Sequence, residues 1–588
     1  YEPTKSLKGS IMKKTTLSLS IAALLLTACS DNDSASADKA PVAEKAPAKV
    51  EQSSNTVDNN AGKHQNNFLT AYDNIDLDIY KDRVKTLSSD EFEGRSPATE
   101  GGRKTSEYLK EQFKAVGAEP GNGDSYFQQV PLISIEADAD MTLQLGDSTL
   151  EYSKDFVAGT SQTVESISLK DSDLVYVGYG VVAPEYDWND YEGVDMEGKT
   201  AVILINDPGF AQPDAGIFQG KAMTYYGRWT YKYEEAARQG AAGAIIIHDT
   251  APASYGWNVV SSSWSGPQYH LPSTGNTPKL DAEMWITLDQ AHSLFKQSGL
   301  DLAKLQKDAL SKDFKPVPLD SKASVDIKNT IQESQSANVI ATIPGKKRPD
   351  EHVIYMAHWD HLGSRDGMEG DHIYNGAIDN ATGTAGIISI AQTFKQLPEA
   401  PDRSVTFVAV TAEEQGLLGS KYFAANPTVP LTQIVGAFNI DSMNVSGRMK
   451  DFTVVGYPKS EVETYVEQAA KRQGRELRPE SAPERGGYYR SDHFSLAKFG
   501  VPAVYGGGGT EFRDDADKDA ADKWSKMRGE CYHSLCDEYH EDWVWQAALD
   551  DIKIFFEAGY LLSNSEAFPN WYEGTEFRSI RDESMKQK

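Results

Sequence analysis

The run VAVTAEEQGLLGS, Val408 to Ser420, leaves an apolar strand on two adjacent acids, Glu413 and Glu414. One carboxylate at a strand end is already costly to strip of water, so a doubled one calls for a cation to bind or a proton to move. Other apolar runs stop in the same manner, HVIYMAHWD on His358 and Asp360, and FNID on Asp441. Asp379 stands in GAIDNATG just ahead of a helical stretch, and His533 lies far downstream in ECYHSLCDEY. Taken alone, Asp379 reads as a helix N-cap and each histidine as an ordinary surface or core residue. Together they form a set of imidazole and carboxylate donors, the mixture that suits zinc with one coordination position left open for water. The sequence contains no HExxH, which excludes a thermolysin-like zinc site on a helix. His358 and Asp360 are two apart on a strand and share a face, whereas His361 in HWDH alternates away and is discounted as a ligand.

The elements that must position these residues alternate. NVIATIPG, HVIYMAHWD, SVTFVAVTA and QIVGAFNID are strand-like runs bounded by polar turns, with helical stretches such as ATGTAGIISIAQTFKQ between them. The alternation predicts an α/β domain over residues 326–570, a mixed, mostly parallel sheet sandwiched by helices. In such sheets the carboxyl ends of the strands build the site, and that is where the acids and histidines stand. Residues 71–149 are helix-rich, with the amphipathic run RKTSEYLKEQFKAVGA after a glycine break, and read as the first part of the same domain. Between 150 and 325 the chain is dense in Gly, Tyr and Trp, and EEAARQGAAGAIIIHD is a helix-to-strand unit punctuated by Gly240 and Gly243. This predicts an inserted module whose Trp229, Trp257 and Trp264 pack rather than bind. Residues 571–588 read as a C-terminal tail.

Met12 to Cys29, MKKTTLSLSIAALLLTAC, has the Lys-bearing start, short apolar core and small residues of an export signal. Its apolar core is too short to span a bilayer. Leu26-Thr27-Ala28-Cys29 resembles the bacterial lipoprotein cleavage motif, which implies lipid on Cys29 and a membrane anchor in the bacterial cell envelope. Ser30, in place of an acid, points to the outer membrane, facing periplasm or cell surface. Residues 1–11 precede the expected start Met12 and are grouped with the signal. Residues 30–70, rich in Ala, Pro, Ser, Asp and Lys, read as a disordered tether. A net charge of −29 argues against a nucleic-acid partner, which needs clustered Lys and Arg. In an exported protein the close pair Cys531 and Cys536 is a candidate disulfide, with free thiols as the alternative.

In order along the chain, MAHWDHLG, GAIDNATG, VTAEEQGLLGS, FNIDSMN and YHSLCDEY resemble the successive motifs of the two-zinc aminopeptidases, metallopeptidase family twenty-eight of clan MH. That family also includes glutamate carboxypeptidases and glutaminyl cyclases. The segment GYGVVAPEYDWNDYEGVDMEGKTAVILIND is similar to the protease-associated (PA) domain often inserted in it. The resemblance implies a zinc aminopeptidase-like, phosphorylase/hydrolase-like α/β fold with an inserted PA-type β/α domain. The implied activity is zinc-dependent removal of N-terminal residues from peptides by a metal-activated water.

Two Zn2+ per chain are implied, one held by His358, Asp379 and Asp441, the other by Asp379, Glu414 and His533, with Asp379 as the bridge. Asp360 would orient His358 by accepting its second ring N–H. Glu413 would be the general base and Tyr532 would steady the developing oxyanion. In YYRSDHFSLAKFGVPAVYGGGG, Asp492, Tyr505 and Gly506 would border the substrate. The glycine run lacks the P-loop Lys and Ser/Thr and reads as a flexible turn beside the site. A carboxypeptidase or dipeptidase, a glutaminyl cyclase-like acyltransferase with one zinc, and a non-catalytic receptor-like protein are alternatives on the same fold. Arg485 and Arg490, near the pocket segment, would suit a substrate with a free carboxylate.

Overall fold

The apolar runs assemble into one central sheet in the computed structural model, which describes residues 68–273, 277–365 and 370–586. The chain enters through helix α1 (Leu77–Leu87), started by Asp76, whose carboxylate accepts the N–H groups of Asp78 and Ile79 at 3.0 Å each. Helix α2 (Glu100–Ala115) is capped in the same way by Thr99 and buries Leu109 and Phe113. Strand β1 (Phe127–Ala137) follows.

The insert comes next. Its parallel strands β2 (Thr200–Leu204), β3 (Gly243–His248) and β4 (Ala282–Thr287) adjoin one another in the order β2, β3, β4. Helix α3 (Trp229–Arg238) contributes Tyr233, Ala236 and Ala237 to a core formed with Ile203, Ile246 and Trp285. The 27-residue strand β5 (Val317–Ile343) then returns the chain to the main sheet. It pairs with insert strands as far as Lys328 and with β1 from Asn329 onward, so the boundary between the two parts lies inside one continuous strand.

Strands β6 (Arg348–His358), β7 (Arg403–Val410), β8 (Ile434–Asn439) and β9 (Ala503–Gly507) complete the functional half. The spatial order is β1, β5, β7, β6, β8, β9; the first two pairings are antiparallel and the rest parallel. Alternate residues of β6 serve opposite faces, as a period of two requires. Val353, Tyr355 and Ala357 join the core of α4 (Gly383–Lys395), while Ile354 and Met356 meet Phe423 and Leu496. Tyr355 stacks across its neighbours, 5.4 Å from Phe407 and 5.3 Å from Phe438. Registers His358 to Val410, Met356 to Asn439 and Asn439 to Tyr505 bring the strand ends to one edge. Helices α5 (Asp515–Cys531) and α6 (Trp545–Asn564) follow, and α6 packs on α4 through Phe394 and Phe556.

Three boundaries differ from the sequence reading. Met141, Leu143, Leu145 and Leu150 lie in the core of the insert, so that module begins before residue 150, where composition changes but pairing does not. Phe68 is 2% exposed against Tyr560, which ends the tether earlier than residue 70. Residues 571–586 are no loose tail. Trp571 is fully buried, its indole N–H donating to Gly500 O at 2.9 Å, and Arg581 donates to Ile434 O at 2.8 Å. The segment 12–29, with Cys29, lies outside the described residues, and among those described no helix is long and apolar enough to cross a membrane.

His352, at the buried start of β6, predicts an acid-sensitive fold. Burial holds its pKa at about 4 against a weaker pull from Asp350, and its Nδ1 lies 3.0 Å from Thr406 Oγ1. The unfolded imidazole titrates near ~6.5, so below that pH the unfolded chain takes a proton that the native ring refuses. Stability is therefore lost as pH falls from about 6.5 to about 4, by on the order of 3 kcal/mol from this residue. Urea midpoints measured across that range should flatten in His352→Gln.

Candidate metal centre

Asp379 stands at the middle of the site because its two oxygens face two histidines. Oδ1 lies 3.2 Å from His358 Nε2 and Oδ2 lies 3.2 Å from His533 Nε2. Asp441 Oδ1 is 3.4 Å from the same His358 nitrogen, and Glu414 Oε2 is 3.0 Å from the same His533 nitrogen. The structure thus gathers two clusters that share one carboxylate.

Each member has a local reason to be there. His358 is the last residue of β6, and its carbonyl accepts from Thr384 Oγ1 at 2.7 Å at the head of α4. Asp379 sits in the turn before α4, joined to Asn380 by a cis peptide. Asn380 accepts the N–H groups of Gly383 and Ser442 and donates to Ile440 O, tying that turn to both sides of Asp441. Asp441 follows β8 and accepts from Ser491 Oγ at 2.6 Å. His533 lies in a ring closed by the Cys531–Cys536 disulfide, which limits the conformations open to its loop.

Two readings based on strand alternation are corrected. β6 stops at His358, so the pleat does not continue through Asp360 and His361. The second ring nitrogen of His358 meets the backbone carbonyl of Asp360 at 3.1 Å, with the Asp360 carboxylate 3.9 Å away. That carboxylate instead accepts the N–H groups of Glu413 at 3.0 Å and Glu414 at 3.3 Å, holding the doubled acid in place. His361 does not point away. It is fully buried, and its Nδ1 is 2.8 Å from Glu414 Oε1. His361, Asp379 and Glu414 also form a potential ligand set, beside His358, Asp379 and Asp441. His533 contacts both Asp379 and Glu414 Oε2, whereas His361 contacts Glu414 through its other oxygen, Oε1. The glutamates diverge because of a turn beyond the end of β7, with Ala412 at φ +54°, rather than by strand pleating.

Two supporting residues escaped the sequence reading. Arg95, 1% exposed, donates to Trp359 O at 2.9 Å, Leu87 O at 2.7 Å, Asn375 O at 2.5 Å and Gly376 O at 2.7 Å. It therefore fixes the backbone just after His358 and just before Asp379. Asp537 accepts the N–H groups of Ile378 at 2.9 Å and Asp379 at 3.1 Å, linking the His533 loop to the Asp379 turn. Arg95→Met leaves buried carbonyls without a donor, and we expect a loss of about 3–5 kcal/mol in denaturant unfolding, with weaker zinc uptake by the folded variant.

The remaining expected site residues divide. Tyr532 is 58% exposed and its ring stacks on His533 at 3.8 Å. Tyr505 lies against His493 at 5.1 Å and is held well above the usual phenol range by burial and then by Asp441. Gly506 is packed against the neighbouring strand, where a Cβ would come within 2.4 Å of Thr453 O. Asp492 is only 1% exposed and lies beneath the site. The glycine run is anchored, with Gly508 N–H donating to Asp551 Oδ2 and Gly508 O accepting from Arg475, each at 2.6 Å, which corrects its reading as a flexible turn.

The electrostatics fit a bound divalent cation. Burial disfavours charge on His358, yet Glu413, Asp379 and Asp441 outweigh it and raise its pKa well above the ordinary value. Burial opposes charge on His533 too, and its bonds to Asp379 and Glu414 push it up to about 10. Glu413 is driven far above the carboxylate range by burial, then by Glu414, Asp492 and Asp441. The clustered carboxylates are an excess of negative charge that pushes both histidines up, while Glu413 is pushed up first by burial. Mixed nitrogen and oxygen donors around that excess suit zinc.

Residues 338–554 match the family model described as Peptidase family M28. Leupeptin-inactivating enzyme 1 of Streptomyces exfoliatus is 30% identical over 207 residues, 34% of this chain and 42% of that one. Aminopeptidase NAALADL1 of Rattus norvegicus is 33% identical over 110 residues, 18% of this chain and 13% of that protein. The chain thus spans less than half the length of these relatives. Among solved structures, an aminopeptidase from Aneurinibacillus sp. strain AM-1 aligns with a TM-score of 0.46 and 21% identity, covering 84% of this chain and 94% of that one.

Proposed function

We propose, from the match of residues 338–554 to the model of Peptidase family M28, that this protein is a zinc-dependent aminopeptidase that hydrolyses N-terminal residues from peptides. The observation that carries the reading is the division of Asp379 between His358 and His533, which suits one carboxylate between two zinc ions. His358 and Asp441 would complete one zinc site, and Glu414 and His533 the other. Bound zinc supplies Lewis acidity and lowers the pKa of water from about 15.7 toward ~7.

The chain's own residues do the rest. Asp360 holds the Glu413 backbone, so the Glu413 carboxylate is set beside the cluster without joining either histidine. There it takes a proton from the attacking water and returns it to the departing amine. The Tyr532 hydroxyl, carried on the His533 ring, donates to the oxygen on which charge develops. Ser491 and His361 keep Asp441 and Glu414 in their ligand orientations. The insert is read as a PA domain. Lipid anchoring through Cys29 at the bacterial envelope rests on the pattern of residues 12–29.

A panel of free and N-acetylated peptides tests the assignment. Zinc-loaded protein should release the first residue of free peptides and leave the acetylated forms intact. Equal rates on both would rule out an aminopeptidase.

A further inference from the structure

We propose that the Cys531–Cys536 bond is a thiol-responsive clasp on His533, so that a dithiol reductant that opens it weakens one zinc position of the centre and spares the other. This rests on the two-zinc reading of the cluster and adds a means of regulating it. The bond joins residues five apart in sequence, and His533 lies between them. The His533 backbone stands at φ +55°, a left-handed conformation that few residues other than glycine adopt. Such a conformation persists only where the surroundings impose it. Upstream, α5 is buried through Ala521 and Trp524, but Arg528, Gly529 and Glu530 in its last turn are exposed, and only Cys531 there is buried. The bond is therefore what fastens the end of the helix beside the centre.

Downstream, the loop is anchored without the bond. Ala377 N–H donates to Asp537 O at 3.0 Å, Ile378 N–H to Oδ1 at 2.9 Å and Asp379 N–H to Oδ2 at 3.1 Å. These contacts keep the Asp379 turn in place when the bond opens, so His358, Asp379 and Asp441 stay together. The loss falls on His533, whose Nε2 lies 3.0 Å from Glu414 Oε2 and 3.2 Å from Asp379 Oδ2, and on the Tyr532 ring stacked upon it. Cys536 is exposed whereas Cys531 is buried, so the reductant reaches Cys536 first. One thiolate of the dithiol attacks Cys536 Sγ and forms a mixed disulfide, while the original S–S bond breaks and Cys531 leaves as a thiolate that takes a proton. The second thiol gives up its proton and attacks its partner sulfur in the mixed disulfide, releasing Cys536, which is protonated in turn. The reductant ends as a disulfide, and two electrons and two protons have passed to the cysteines.

The test titrates zinc into metal-free protein before and after treatment with dithiothreitol, which is removed anaerobically so that it does not itself chelate the metal. Free thiols should rise by about two per chain on reduction. Oxidised protein should show two binding steps, and reduction should weaken one of them by about 10- to 100-fold and leave the other unchanged. The double variant Cys531→Ser with Cys536→Ser, which brings no new thiols to the metal, should reproduce the reduced protein without any reductant. Amide hydrogen exchange of the metal-free protein should quicken over residues 532–536 on reduction and stay as it was over 377–379. A bond that resists the dithiol, two unchanged binding steps once it is open, or equal weakening of both overturns the clasp. If the double variant fails to fold, reduced wild type decides the matter. If oxidised protein binds fewer than two zinc ions, the two-zinc reading falls. Hydrogen exchange then decides the clasp separately, with no change over 532–536 overturning it.

Discussion

Glu413→Gln should lower kcat by about 10²- to 10⁴-fold while the protein keeps its fold and its zinc. The substitution is nearly isosteric and leaves the backbone N–H that Asp360 accepts at 3.0 Å, so the strand end should not move. Glu413 is absent from both potential ligand groups, which place His358 with Asp441 and Glu414 with Asp379. What the amide lacks is a site for the proton taken from water. The signature is a fall in kcat with little change in KM, read from steady-state kinetics beside elemental analysis of the same sample. Full activity in the variant would remove Glu413 from the mechanism.

Asp379→Ala should have the other large effect, for a different reason. Both oxygens of Asp379 are engaged, one with each histidine, so its loss opens both clusters together. The variant also leaves His358 and His533 with fewer acids to hold them. We expect activity to fall by more than about 10³-fold and zinc content to fall with it, since the Lewis acid and the activated water depend on the same ions. Adding zinc in excess should restore little. Asp360→Asn should behave more mildly, because it disturbs the backbone behind Glu413 and Glu414 rather than a ligand oxygen.

Much of the sheet and the inventory of the cluster were legible because apolar runs that stop abruptly on acids are rare and strand order brings their ends to one edge. His358, Asp379, Glu414, Asp441 and His533 do meet in space. The readings that differ have separate physical causes. The strand ends at His358, so a pleat no longer dictates the faces of Asp360 and His361. Arg95 was invisible because its partners are backbone carbonyls, which leave no complementary residue type in the sequence. The insert boundary was misplaced because composition changes after the hairpin at 142–151, whereas pairing had already moved to the insert sheet. Trp571 and Arg581 looked like a tail because short polar segments give no sign of the cavity that a single aromatic ring fills.

The central claim is a pair of metal ions sharing Asp379. Zinc titration of metal-free protein, with bound metal counted by elemental analysis and activity followed at each step, tests it most directly. The account predicts about two zinc ions per chain in the wild type, activity rising with their binding, and loss of both sites in Asp379→Ala. Saturation at one zinc per chain with full peptidase activity would contradict it.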